Sequence, residues 1–303
     1  MHPELIHHKS IHSSLEMLYH ELGNAIIAKY CNSLHRESLL GQGGHPIIKI
    51  QRYAKIMVEH YGISIGAVVV SLRKMAKVAE VELSASSDFF IEVGEQFVDH
   101  EDDLLAVLAH EITHIFLHRH RLAFPDTLEN EILTDTAATY LGLGTLILNG
   151  YSENQRIIDK NTEERTTKWY GYLTPLEYGY ILAKRARRFA DNPAPYLKGN
   201  SSSFYHSGSQ LLEKEYRAAP FEGAHWSDRV RYLWQRKQAK GQFRTRKQNR
   251  IYFDEFGYGF EDGKEVHLIL KCLSCFQKLR VPAHRGPLTL RCPICGDAYK
   301  CET

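Results

Sequence analysis

Residues 102–120 read DDLLAVLAHEITHIFLHRH. Leu104, Leu105, Val107, Leu108, Ile112, Ile115 and Phe116 cover more than one face of a 3.6-residue period, so this helix is expected inside a core. Asp99, Glu101, Asp102 and Asp103 stand at its start and His118, Arg119, His120 and Arg121 at its end, an order that complements the helix dipole. Within it His110-Glu111-Ile112-Thr113-His114 matches HExxH. Residues four apart share a helix face, so both imidazoles can bind one zinc ion, with Glu111 beside them at a zinc-bound water. Incidental histidines on an amphipathic helix give the same pentapeptide. Two histidines and a glutamate inside so apolar a run, however, need a polar purpose.

A catalytic zinc takes three protein ligands and keeps one open position. Downstream, past Pro125, lies Asn130-Glu131-Ile132-Leu133-Thr134-Asp135, on a helix that Asp126 or Thr127 can cap and that is expected to run to the LGLG at 141–144. Glu131 is the expected third ligand. Asp135, four residues on and on the same face, can take the free N–H of a ligand histidine. A merely solvated acidic face is the plain alternative. His120 is a competing ligand, since it sits where metzincins have their third histidine. Leu117 stands where those enzymes need a glycine, and every methionine (1, 17, 57, 75) precedes the motif, so no methionine turn follows it. His118 and His120 are therefore read as helix-end residues.

With these residues the sequence resembles the gluzincin clan, in which HExxH is followed by a glutamate on a second helix. NEILTD is similar to the NExxSD pattern of thermolysin-like enzymes. The 17-residue step from His114 to Glu131, with a small sheet just before the motif helix, is similar to minigluzincins and to ImmA/IrrE-like or Oma-like soluble domains. The resemblance covers roughly residues 65–150. It implies a zincin-like domain in which His110, His114 and Glu131 bind zinc, Glu111 is the general base and Asp135 supports a ligand. Relatives stabilise the oxyanion with a downstream His or Tyr, and no motif here matches one. Tyr140, Tyr151, Tyr172 and Tyr178 are candidates only, each more readily read as a packing residue.

Upstream, Ile11, Leu15, Leu18, Leu22 and Ile26 set a helix from Ser10 to about Arg36, broken by GQGG at 41–44, and Pro46 opens a second helix that stops near Gly62. Residues 65–72, 76–83 and 88–93 are short and rich in branched or aromatic residues, which predicts a small antiparallel sheet. The last of them, DFFIEV, reads either as an edge that pairs with an extended substrate or as an inner strand. Thr174, Pro175 and Glu177 form a capping box for a further helix. NPAPY and GNSSSFYHSGS, beyond residue 190, read as loops.

Near the C-terminus, Cys272-Leu-Ser-Cys275 and Cys292-Pro-Ile-Cys295 are two CxxC knuckles sixteen residues apart, the spacing of a closed structural zinc site. Between them KLRVPAHRGPLTLR alternates like two strands joined at Gly-Pro, so the unit resembles a zinc ribbon that folds on binding metal. Cys31 and Cys301 are left over. Residues 229–250 hold nine Arg/Lys and no acidic residue, with Tyr232, Trp234 and Phe243 interleaved. This stretch is expected to be an extended or solvated connector; phosphate contacts are its sharper reading and a solvated helix face the plainer one.

The expectation is thus an α+β chain: a small antiparallel sheet packed with helices over 1–190, a helical and basic connector over 191–262, and a four-cysteine β ribbon over 263–303. The 303 residues, 43% hydrophobic and 24% charged, suffice for one sizeable core plus a smaller unit. Net charge of +2 selects no polyanionic partner for the chain as a whole. No apolar run is long enough to span a membrane and MHPELIHHKS lacks a signal-peptide core, so a cytoplasmic location and no membrane partner are expected. The expected function is zinc-dependent hydrolysis of a peptide or protein, with one catalytic and one structural zinc. The alternative is a non-enzymatic zinc protein that binds nucleic acid or protein through the connector and ribbon.

Overall fold

The computed structural model describes the chain apart from residues 1–4, 40–44, 65, 76–77, 84–87, 160–161, 246–248, 254–255, 284–285 and 303 and the side chains of 154–165. The expected GQGG break and the first residues of two expected strands lie outside the described residues. The chain divides into two compact units, Met1–Ser209 and Gln210–Thr303, and its class is α+β.

In the first unit the N-terminal run is a helix, α1 (His8–Ile27), that deviates at Gly23 (φ 74°) and gives way to a 3-10 turn and the short α2 (Arg36–Leu39). It is shorter than the apolar period suggested. The helix α3 (Pro46–Tyr61) begins at its proline and ends on left-handed Gly62, as the sequence predicts. Three strands follow, β1 (Val68–Arg73), β2 (Ala79–Glu82) and β3 (Phe89–Gly94), in the order β1-β3-β2. One expectation is corrected here and one open reading is settled. The sheet is mixed, because β1 pairs with β3 in parallel while β2 pairs with β3 antiparallel. DFFIEV, which forms β3, is the central strand, so it cannot be the edge that receives a substrate; the edges are β1 and β2. In the run FFIEVG, Phe89, Ile91 and Val93 are buried and Phe90 is exposed, the alternation of a strand with one face on the core.

The motif helix α4 (Glu101–Arg119) packs against α3, β2, β3 and the two helices after it. Leu104, Leu105, Val107, Leu108, Ile112, Ile115 and Phe116 are each at most 3% exposed, which is why its apolar residues do not form a single stripe. The helix α5 (Thr127–Ala138) starts on Asp126, whose carboxylate accepts from Glu129 N at 3.0 Å. It does not run on to LGLG unbroken: a π-turn over Thr139–Leu143, with Gly142 at φ 113°, separates it from α6 (Gly144–Asn149). A hairpin, β4 (Ser152–Asp159) with β5 (Thr162–Lys168), precedes α7 (Pro175–Phe189), which carries the expected Thr174/Glu177 capping box. GNSSSFYHSGS, expected as a loop, lies in the helix α8 (Asn200–Tyr216), whose first part belongs to this unit.

The second unit holds α9 (Trp226–Arg244), so most of the basic stretch is a regular helix and not an extended segment. Strands β6 (Arg250–Phe253), β7 (Tyr258–Glu261), β8 (His267–Lys271) and β9 (Lys278–Pro282) form an antiparallel meander, and β10 (Pro287–Arg291) pairs with β11 (Ala298–Glu302). The two strands between the knuckles are therefore present as β9 and β10 but are not partners of each other. Each knuckle is the turn of its own hairpin, β8–β9 or β10–β11. No helix among the described residues is long and apolar enough to cross a membrane.

Candidate metal centre

His110 and His114 leave α4 on one face, and Glu131 comes toward them from α5. His110 Nε2 lies 3.0 Å from His114 Nε2, and Glu131 Oε2 lies 3.2 Å from each. Tetrahedral zinc with bonds of about 2.0–2.1 Å puts neighbouring ligand atoms about 3.3–3.4 Å apart. The three separations fit that donor set and leave a fourth position open. His110 Nδ1–H donates to Asp135 Oδ1 at 2.8 Å, which orients the ring with Nε2 toward Glu131. Thr134 Oγ donates to Asn130 O at 3.0 Å and so can accept from His114 Nδ1–H at 3.3 Å, fixing the same tautomer there. Thr134 was not singled out from the sequence; its place one residue before Asp135, three after Glu131, is the signal that was there to read.

Asp135 is fully buried, and its second oxygen accepts from the backbone N–H of Tyr172 at 2.6 Å and of Leu173 at 3.2 Å. Gly171 makes that approach possible. Its φ is 95°, and a Cβ there would stand 2.1 Å from the Tyr178 hydroxyl and 2.6 Å from Asp135 Oδ2. Burial opposes charge on His110, but the Asp135 and Glu131 carboxylates outweigh it and push its pKa to about 10. Glu131 is likewise penalised by burial, yet hydrogen bonds from the two histidines bring it down to about 2. Glu111, 9% exposed, is raised by burial despite the nearby imidazoles, and it feels Glu80 on β2 as well as Glu131.

Of the tyrosines, Tyr140 is buried against Tyr19 (2.7 Å between hydroxyls), Tyr178 is buried and donates to Tyr170 O, and Tyr151 lies beside Glu153. Only Tyr172 faces the centre: its ring stacks on His110 with centroids 6.3 Å apart, and half of it is exposed. Burial first, then Glu131, Asp135 and Glu111, raise its pKa and keep the hydroxyl protonated. His120 closes the end of α4 with its N–H on Phe116 O and its ring 4.5 Å from that of Phe116, and His118 lies near Phe89. Among the described residues, the group able to share an ion with His110 and His114 contains Glu131 and neither of these histidines.

In the second unit Cys272, Cys275, Cys292 and Cys295 converge, each at most 2% exposed, with Sγ atoms 3.5 Å apart for Cys272–Cys295 and for Cys275–Cys292. Tetrahedral zinc–thiolate bonds of about 2.3 Å imply about 3.8 Å between sulfurs, so four thiolates around one metal ion fit. The two knuckles repeat one geometry: Cys272 N donates to Gln277 O and Cys292 N to Asp297 O, both at 2.8 Å, and Phe276 and Gly296 occupy matching left-handed positions. Hydrogen bonds from neighbouring thiols and from Tyr299, 3.0 Å away, hold Cys272 down near the thiolate form. Cys301 is buried in β11 outside the four, and burial raises its pKa to about 11. Cys31 is exposed and free.

No protein-family model, curated protein or solved structure matches the chain.

Proposed function

We propose that the first unit is a gluzincin-type zinc metallopeptidase and that the four cysteines of the second hold a structural zinc. What supports the reading is the convergence of His110 Nε2, His114 Nε2 and Glu131 Oε2 within 3.2 Å, with Glu111 buried on the same helix. A structural three-ligand site has no need of Glu111. Zinc held there supplies a Lewis acid that polarises a carbonyl and acidifies a water. Glu111 takes the proton of the attacking water and passes it to the leaving amine, so hydrolysis proceeds without a covalent intermediate. Asp135 and Thr134 hold the two imidazoles in the ligating tautomer. Tyr172 offers a protonated hydroxyl beside His110 to the developing oxyanion. β2 packs on α4 and, among the described residues, pairs with β3 alone, so an extended peptide would align along its other edge.

The test is Glu111→Gln in the full chain, with zinc counted by elemental mass spectrometry and hydrolysis followed on a peptide library. The expected outcome is unchanged zinc with hydrolysis lowered by about 10²-fold or more. Hydrolysis that survives the substitution would remove Glu111 from its role.

A further inference from the structure

The outward face of α9 takes no part in the chemistry above. Tyr232, Gln235, Arg236, Ala239 and Phe243 of this helix are buried within the second unit. On the opposite side Trp226, Val230, Leu233 and Trp234 follow the helical repeat and are 69, 57, 50 and 61% exposed. The same stripe continues as Lys237, Lys240 and Arg244, all exposed. Lys237 and Arg244 have no ion-pair partner among the described residues. Residues 210–303 carry eighteen Arg/Lys against eleven Asp/Glu, a net +7 in a chain whose total is +2. Leu233, Lys237 and Lys240 also line a 760 Å³ cleft together with Arg229, Glu222 and Glu302.

We propose that this face binds single-stranded nucleic acid, with Trp226 and Trp234 stacking on bases and Lys237, Lys240 and Arg244 on phosphates. Four large apolar side chains left open on one helix face call for an occupant. The charge selects among occupants. A second copy would bring the same cationic stripe against itself, and like charges at an interface are unfavourable. An in-plane membrane helix needs an apolar face along its whole length, whereas the second half of this stripe is Lys237, Lys240, Gly241 and Arg244. Indole faces beside Lys237 and Arg244, unpaired among the described residues, suit a polyanion with exposed bases, and stacking of this kind tolerates any sequence. From Trp226 to Arg244 the stripe extends about 27 Å at 1.5 Å per residue, room for several nucleotides.

The proposal is tested on the full zinc-loaded chain with a fluorescein-labelled 20-nucleotide oligodeoxythymidylate, by anisotropy across a sodium chloride series and by tryptophan emission. Two of the three tryptophans lie on the stripe, so binding should quench most of the emission. Trp226→Ala/Trp234→Ala should abolish the quench and weaken binding by about 30-fold or more. Lys237→Ala/Arg244→Ala should keep the quench and flatten the slope of log K against log salt by about 1.4. Metal content and circular dichroism equal to the parent chain establish that the variants fold. No binding at 50 mM salt, or binding indifferent to both double substitutions, overturns the proposal. So does tryptophan-dependent sedimentation with phosphatidylserine vesicles, or tryptophan-dependent self-association, without oligonucleotide binding.

Discussion

Asp135 Oδ1 stands 2.8 Å from His110 Nδ1 while its other oxygen is held by the N–H groups of Tyr172 and Leu173. One carboxylate thus ties His110 of α4 to the loop before α7, and both of its oxygens are needed. Asparagine has a single acceptor oxygen, so Asp135→Asn must abandon either the histidine or the backbone pair. Zinc affinity of the first centre should fall by about 10–100-fold, measured by competition with a chromophoric chelator. Unchanged affinity would mean that Asp135 only braces the loop.

Tyr172 is the tyrosine whose ring lies against His110. If its hydroxyl acts on the oxyanion alone, Tyr172→Phe keeps the ring and lowers kcat by about 10²-fold with KM little changed. A rise in KM at constant kcat would make it a substrate contact instead.

For the second centre, Cys292→Ser should remove one zinc per chain and leave residues 250–302 open to limited proteolysis, because contacts between the two hairpins gather around the four thiols, where Tyr299 reaches Cys272 and Ser274 and Ser274 donates to Asp297. Retention of full zinc content together with protease resistance would show that the cysteines are not the ligands.

Glu101 accepts from Arg36, Tyr53 and Lys49. Burial works against its charge, but these bonds win and bring its pKa from 4.5 to about 2. A carboxylate depressed on folding stabilises above its unfolded pKa and loses that contribution as pH falls through the folded one. The melting temperature of Glu101→Gln should therefore lie below that of the parent at pH 7, and the gap should close between pH 4.5 and 2. A gap that persists at pH 2 would assign the effect to lost packing.

Short-range chemistry was the legible part of the sequence. The capping box at Thr174, the proline start of α3, the two knuckles and the buried motif helix all depend on residues within a few positions of one another, and each lies where spacing put it. What failed depended on distant partners. Nothing in DFFIEV discloses that β1 will join it in parallel, which is what moves β3 to the centre of the sheet. Likewise KLRVPAHRGPLTLR has the alternation of two strands, but their partners lie outside it, in β8 and β11. The polar face of α8 hid a helix because serines and glycine weaken propensity without preventing packing. At the candidate centre, Glu131 and Asp135 were readable from one helical turn. Tyr172 stood among four candidate tyrosines with nothing to single it out, and Gly171 gave no sign, since their approach to Asp135 is set by the loop leading into α7.

The two knuckle hairpins also bear on the order in which the C-terminal unit can assemble. The strands from β6 to β9 are consecutive neighbours, as are β10 and β11, so each set closes over short loops and can form rapidly on its own. With the structural zinc proposed above, their union through four sulfurs would be a late, metal-dependent step. The tempo at which this unit matures should follow the free zinc concentration more closely than the intrinsic speed of its strands.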